Sequence, residues 1–408
     1  MTTIRSRILP RSAEQGVGRL LAARSVRALS DGLVATTIAA YLTARGFSGG
    51  QIGLLITATL LGSAVVVMVA AANASRLAPA VILRWCSIAM VATGIGFAVI
   101  PWYWLLVAVA AVGPLNPSGG DVSAFLPAEQ STLTAMVSDG DRTAMFARYN
   151  LIASASAAAG ALAAGVPLWL GRRWGLSDSA ALRLVFWAYA LVGTIAAALY
   201  ASLARVRGPE ARSSKLGPSK ARIRKLAALF ALDSAGGGFA VQSLVALWLS
   251  RRHHFTLAGI GLILSATSLL SATSALLAPR LARRLGLVRT MVFTHIPANV
   301  LLICAAFAPN SALAVACLLG RSLLAQLDVP ARQSYVMAIV EPAERAAAAA
   351  YTNVPRSLAA ATTPAIAGWL LDRSNVGWPL MIAGLIKITY DLLLLVTFGA
   401  IRPPEESR

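Results

Sequence analysis

The chain has 408 residues, 57% hydrophobic and only 13% charged, with 36 Lys and Arg against 16 Asp and Glu for a formal net charge of +20. Soluble domains carry about a quarter charged residues, so a soluble globular protein is excluded. The positive excess has to be read by its placement along a membrane chain, not as a nucleic-acid signal.

From the start, MTTIRSRILPRSAEQGVGR (1–19) has basic residues but no apolar stretch ahead of a cleavage site, so no removed signal peptide is expected. Apolar runs then follow one another. IGLLITATLLGSAVVVMVAAANA (52–74) and VFWAYALVGTIAAALYASLA (185–204) are uncharged throughout, enough to cross a hydrocarbon core of roughly 30 Å as helix. Twelve helical spans are predicted, at 20–44, 51–75, 81–101, 102–130, 143–170, 184–204, 226–250, 257–279, 288–308, 311–336, 346–371 and 377–400. A barrel would need period-two alternation instead. The expected fold class is therefore all-α and integral to the membrane.

Cys86, Cys304 and Cys317 lie within spans, which leaves no disulfide framework or CxxC metal site. His253 and His254 fall in a loop and His295 near a span's start; no HExxH, phosphate loop or nucleophile elbow is present. No enzyme activity, metal or cofactor is expected. With both termini on one side, 22 Lys and Arg fall on that side and seven on the other (Arg45, Arg172, Arg173, Arg183, Arg251, Arg252 and Arg373). The positive-inside rule then places both termini in the cytoplasm of a multi-pass protein of the plasma or inner membrane. Eight of the 22 lie in the linker 205–225, where anionic headgroups are the expected neighbours and nucleic acid is not.

The chain also repeats itself. PAEQS (127–131), Arg142 and Asn150 return as PARQS (330–334), Arg345 and Asn353; over 127–165 against 330–368, fifteen of 39 positions are identical without a gap. Seven of these are Ala, but the other eight are far harder to obtain by chance. FSGGQIGLLITAT (47–59) matches FTLAGIGLILSAT (255–267) with six identities in 13. Two six-helix halves follow, 1–204 and 226–408, joined by the basic linker 205–225, and a parallel repeat of this kind relates the halves by an axis along the membrane normal.

Twelve spans, a basic linker and the phrase GF(S/T)xxxIG at the start of spans 2 and 8 together resemble the major facilitator superfamily over nearly the whole chain. The resemblance implies a monomeric secondary transporter with its site between the halves. That superfamily carries a G-x-x-x-D-R-x-G phrase after span 2, echoed after span 8. Here AANASRLA (71–78) keeps Arg76 with Ser75 at the acid position, and PRLARRLG (279–286) keeps Arg284 and Gly286 with Arg283 at the acid position. The Gly/Pro phrase of drug–proton antiporters in span 5 is reduced to GALAAGVP (160–167).

Besides Arg84 and Arg289, counted with the loops at the starts of spans 3 and 9, thirteen charged residues fall inside spans: Arg24, Arg27, Asp31, Asp121, Glu129, Arg148, Asp233, Arg321, Asp328, Arg332, Arg356, Lys387 and Asp391. Facing lipid, they would cost about 40 kcal/mol at roughly 3 kcal/mol each, so they are expected to face a polar or wet interior. Arg27–Asp31, Asp328–Arg332 and Lys387–Asp391 are spaced for ion pairs on one helical face; for Lys387–Asp391 a packing role alone is the favoured reading. Asp121 lies in GPLNPSGGDVS (113–123) and Asp233 precedes Gly236-Gly237-Gly238, two places where the helix is expected to open.

These positions set the candidate site. Asp31, Asp121, Asp233 and Asp328 are expected to line a central cavity and to include an acid that couples protons. Arg27, Asn150, Gln242, Arg321, Gln326, Asn353 and Arg356 are candidates to contact a small-molecule substrate, with Gln130, Gln333, Tyr149 and Tyr351 as further polar or stacking groups. Glu129 and Arg332 occupy equivalent repeat positions with opposite signs, which suggests a cytoplasmic gate between the halves, with Arg148 nearby; Arg332 pairing only with Asp328 is the alternative. The expected function is proton-coupled export of a small organic solute by alternating access. The alternatives are uptake or facilitated passage of an anion, because seven cations outnumber six acids within the spans, and a related receptor that does not transport.

Overall fold

A computed structural model of the chain describes residues 15–72, 78–118, 125–138, 141–203, 217, 219–275, 277–341, 344–374 and 376–400. Among these there are eighteen α-helices and no strand. In chain order they are α1 Gln15–Ala44, α2 Gly49–Ala72, α3 Pro79–Val99, α4 Tyr103–Val112, α5 Leu126–Ala135, α6 Arg142–Leu162, α7 Val166–Arg173, α8 Asp178–Ala201 and α9 Lys220–Phe239. Then come α10 Gln242–His253, α11 Leu257–Ala275, α12 Ala278–Leu285, α13 Leu287–Ala306, α14 Ser311–Leu324, α15 Asp328–Ala338, α16 Arg345–Thr362, α17 Pro364–Arg373 and α18 Trp378–Phe398. Apart from the short α12, they map onto the twelve expected spans. Nine stretches of the described residues are long and apolar enough to cross a bilayer. Large apolar side chains also point outward, with Val396 85%, Val112 73% and Trp104 70% exposed, as hydrocarbon contact requires.

Seven spans are one helix each, and spans 4, 5, 7, 10 and 11 are each split in two. The split in span 4 follows Val112, where Gly113, Pro114 and Pro117 interrupt the ladder, and the freed Pro114 carbonyl accepts from the Tyr189 hydroxyl at 3.1 Å. Span 7 splits after Phe239, just beyond the glycine triplet. The splits in spans 5, 10 and 11 were not foreseen; each has a proline in the first turn of its second helix, Pro167, Pro330 and Pro364, a position that suits proline because its missing N–H has no partner there.

The chain forms two compact units, Met1–Gly46 with Ala58–Ala211 and Leu257–Ser265, and Phe47–Thr57 with Arg212–Thr256 and Ala266–Arg408. In the first, α1 packs along α6 and α8, and α3 along α8. Small residues permit a close crossing of α1 and α6: a Cβ on Gly160 would lie 1.8 Å from the Leu29 carbonyl oxygen, and one on Gly32 2.0 Å from that of Ala157. In the second, α9 packs along α16 and α18, and α13 along α18, around a core that includes Phe230, Tyr335, Tyr390 and Phe398. The same pairs of spans (first with fifth and sixth, third with sixth) thus recur in both repeats.

The two contiguous halves expected from the sequence are interleaved at two places. Phe47–Thr57 belongs to the second unit and Leu257–Ser265 to the first, and these are the segments of the shorter sequence match. Both rest on a glycine. A Cβ on Gly53 would meet the Pro364 carbonyl oxygen at 2.2 Å, and one on Gly261 the Ala161 carbonyl oxygen at 2.3 Å. Equivalent glycines therefore touch equivalent carbonyls.

Asp372, beyond the end of span 11, fastens the first of these segments. Its carboxylate accepts from the N–H groups of Gly49 at 2.6 Å and Gly50 at 2.7 Å, two of the donors a helix start leaves unpaired. It also pairs with Arg251 at 2.9 Å. Burial pushes the carboxyl pKa up, but the Gly50 N–H, Arg251 and the Gly49 N–H outweigh it and hold the group below the usual carboxylate range. A depressed folded pKa gives stability that is present above the unfolded value, about 3.9, and is lost as pH falls through it toward the folded one. The pair is partly exposed, so Asp372→Asn is expected to cost about 1 kcal/mol at neutral pH. Thermal unfolding of detergent-purified protein between about pH 6 and pH 3 should show a wild-type loss that the variant lacks; parallel curves would refute the assignment.

Candidate functional site

Charge is collected into one network in each unit. In the first, Glu129 on α5 has no exposed surface. Arg27 of α1 pairs with its Oε1 at 2.9 Å and Arg24 approaches Oε2 at 4.0 Å. The Tyr149 hydroxyl donates to Oε2 at 2.5 Å, and the Tyr200 hydroxyl donates to Oε1. Arg27 also lies 3.7 Å above the Phe125 ring and donates from Nε to the Tyr200 oxygen at 3.2 Å. Asp31 is buried one turn along α1, within electrostatic reach of Arg27 and Arg24 and beside Asn116. Two cations and two acids balance. The carboxylate gathers three helices, α1, α6 and α8, onto α5.

In the second unit the centre is Asp233 on α9. Lys387 Nζ of α18 lies 2.6 Å from its Oδ1, Arg332 of α15 3.3 Å from its Oδ2, and His295 Nε2 of α13 3.9 Å from Oδ1. The other imidazole nitrogen, Nδ1, is 3.0 Å from Asp391; facing a carboxylate, it acts as donor. Arg332 pairs again with Asp328 at 3.4 Å. On α9, Ser234 accepts from Arg356 Nε at 3.2 Å. Four helices are tied through one carboxylate, and a histidine stands between two acids.

The repeat answers why PAEQS becomes PARQS. At the 203-residue offset Glu129 corresponds to Arg332, and the like crossings of Gly32 on Ala157 and Gly238 on Ala360 set Arg27 against Asp233. In the first unit a cation on the first span, Arg27, meets the acid Glu129; in the second an acid on the seventh span, Asp233, meets the cation Arg332, which also pairs with Asp328. A faithful copy of Glu129 beside Asp328 and Asp233 would have placed three acids together. The change of sign keeps each unit neutralised internally.

Several expected pairings are replaced. Glu129 and Arg332, expected as a gate pair, are each matched inside their own unit, Glu129 by Arg27 and Arg332 by Asp233 and Asp328. The expected Asp328–Arg332 pair is present. Lys387 and Asp391 share a helix face, but each takes a partner on another helix, Asp233 and His295, because Asp233 has no basic residue within a turn of its own helix. Arg27 turns to Glu129 in the same way. Of the remaining candidates, Arg148, Gln242, Arg321, Gln326 and Arg356 are half-buried, Asn150 and Asn353 exposed. Arg321 keeps its Nε buried without a hydrogen-bond partner. Tyr149 is buried on Glu129, whereas Tyr351 is exposed. Arg284 is exposed and Gly286 takes φ +84 at the turn between α12 and α13. Asp121 and Arg76 lie outside the described residues.

Sequence reasoning missed His295, Tyr200 and the reach of Lys387. The signal was present for Lys387, since an ammonium in the middle of an apolar span needs a buried acid. Nothing in one sequence pointed to His295. Among the described residues no group of three or more His, Cys, Asp and Glu side chains is placed to hold a metal ion. What the networks can do is hold charge, exchange hydrogen-bond partners and move protons.

The model of the Major Facilitator Superfamily matches residues 20–320 and 226–408. The chain belongs to this family. It is a multi-pass membrane protein with the fold of membrane solute transporters. An uncharacterized membrane protein of Saccharomyces cerevisiae is 24% identical over 95% of this chain and 94% of that protein. Among solved structures, a bacterial homologue of the human lysosomal transporter Spinster, in an inward-facing conformation, is 15% identical with a TM-score of 0.70, covering 95% of this chain and 96% of that one. The nucleoside transporter NupG is 15% identical with a TM-score of 0.69, covering 95% and 99%. A bacterial homologue of the iron transporter ferroportin, inward-facing, is 16% identical with a TM-score of 0.70, covering 94% and 98%. These likenesses concern the fold of this superfamily member.

Removing one partner of a buried pair leaves the other charge unmatched and costs roughly 3–5 kcal/mol. Glu129→Gln is therefore expected to lower stability by about 3 kcal/mol and Tyr149→Phe by about 1 kcal/mol, read as unfolding midpoints in detergent. Exchanging signs within the unit, Arg27→Glu with Glu129→Arg, should recover part of the loss. Equal, small effects of all three would mean that Glu129 is not the hub.

Proposed function

We propose that this protein is a secondary transporter that moves a small organic solute by alternating access, driven by protons in the direction of export. It works as a monomer in the plasma or inner membrane with both termini cytoplasmic. The observation that carries this reading is Asp233, a buried carboxylate shared by Lys387, Arg332 and His295, with His295 hydrogen-bonded to Asp391. A proton placed on Asp233 removes the charge that holds Lys387 and Arg332, and freed cations change the balance of every helix they touch. The His295 imidazole stands between two acids with one ring nitrogen toward each, Nε2 to Asp233 and Nδ1 to Asp391. Asp31, Asp121 and Asp328 remain the further acids for coupling, and Arg27, Arg321 and Arg356 the cations for a solute's polar groups. The direction of export rests mainly on the resemblance to the superfamily, since the Gly/Pro phrase of drug–proton antiporters is present only as GALAAGVP (160–167).

A second reading, uptake or facilitated passage of an anion, is favoured by the buried Nε of Arg321 that no described group accepts from. A thermal-shift screen of purified protein against anionic, cationic and metalloid compounds provides the test solute. In proteoliposomes, an imposed proton gradient should accelerate its flux. Asp233→Asn should abolish that acceleration, lowering driven flux by at least about 100-fold, while counterflow exchange persists. Asp31→Asn, Asp121→Asn and Asp328→Asn are measured alongside. Full proton-driven flux in all four variants would sink the coupling assignment; flux indifferent to the gradient would favour the anion reading, and binding without flux a receptor.

A further inference from the structure

The short helix α12 and the start of α13 carry an unusual concentration of free positive charge. Arg280, Arg283, Arg284 and Arg289 are all exposed. None makes an ion pair or side-chain hydrogen bond with another described residue. The reason is compositional: no Asp or Glu occurs anywhere between Asp233 and Asp328, so this stretch has no acid of its own to offer. Deeper in the second unit, Lys387 and Arg332 are matched inside the protein. Here four are left to the surroundings.

The placement of the side chains around α12 says what those surroundings are. Arg280, Arg283 and Arg284 are three and four apart and form one face. Beside that face lie Leu277 and Leu285, four residues to either side of Leu281, with 53% and 41% exposure. Ala278 on the far side is buried, which docks the helix on the protein. A helix with arginines next to exposed leucines matches a membrane interface, where leucine meets acyl chain and guanidinium meets headgroup. Gly286, at φ +84, breaks the helix direction before α13, which lets α12 depart from the line of the span that follows. A guanidinium presents its donors in a planar fork suited to phosphate oxygens.

We infer that Arg280, Arg283, Arg284 and Arg289 form a binding surface for an anionic phospholipid headgroup, with Leu277 and Leu285 against its acyl chains. The surface is separate from the buried networks and does not depend on what solute is moved. An attraction of about 1 kcal/mol per arginine near a charged leaflet makes the loss of two worth roughly a 30-fold fall in affinity.

The test uses full-length protein in nanodiscs or mixed micelles, with phosphatidylglycerol titrated into phosphatidylcholine and the unfolding midpoint as readout. Wild type should be stabilised by phosphatidylglycerol, and Arg283→Gln with Arg284→Gln should need roughly 30-fold more of it. Arg172→Gln with Arg173→Gln, a matched charge loss at exposed positions elsewhere, should behave as wild type. Arg283→Lys with Arg284→Lys keeps the charge and should keep most of the response, which covers the case in which the glutamine variant does not fold. The proposal is overturned if phosphatidylglycerol and phosphatidylcholine stabilise wild type equally. It is also overturned if both glutamine pairs shift the titration alike, or if inorganic phosphate at equal concentration reproduces the lipid's effect.

Discussion

A charge placed in hydrocarbon must find its opposite, and the structure of this protein is organised around two carboxylates that provide it. Glu129 draws Arg27, Arg24, Tyr149 and Tyr200 together; Asp233 draws Lys387, Arg332 and His295. Each network spans the helices that its unit packs most closely. Apolar packing alone does little to choose one helix arrangement over another when the surrounding solvent is itself apolar. The buried charges add the discrimination, because a wrong pairing strands an ion at a cost of several kcal/mol.

Glycine and proline then set how closely and how straight the helices run. Gly32 and Gly160 bring α1 and α6 to backbone contact, and Gly53 and Gly261 do the same for the two helix starts that cross between the contiguous halves. The splits in spans 4, 5, 7, 10 and 11 come where proline or a glycine cluster weakens the ladder, and the freed groups are re-used, as when Pro114 takes the Tyr189 hydroxyl. Split helices occur in both repeats at spans 4 and 10 and at spans 5 and 11, so the interruption belongs to the architecture and not to one accident of sequence.

The two networks differ in chemistry as well as in sign. Guanidinium and phenol groups surround Glu129, and neither changes charge readily at neutral pH. Around Asp233 stand an ammonium, a guanidinium and an imidazole that touches a second acid. Proton handling is therefore concentrated in the second unit on our reading, with the first acting as a fixed counterpart. The free arginines of α12 form a third electrostatic region, directed outward.

The sequence by itself determined the class of protein, the twelve spans, the repeat and the family, because these rest on local quantities: apolar run length, proline and glycine positions, and spacing within one helix. It also identified Asp233, Glu129 and Arg332 as residues that had to be matched, since the penalty for an unmatched charge is a property of the residue. It could not name the partners. Lys387 was expected to look four residues along its own helix to Asp391 and instead reaches Asp233, 154 residues away; His295, isolated in the sequence, lands between Asp233 and Asp391. Interleaving at residues 47–57 and 257–265 was equally hidden. Side-chain spacing along one helix is set by its 3.6-residue turn, but which helices meet is decided by packing and charge balance across the whole bundle, and only the tertiary structure contains that.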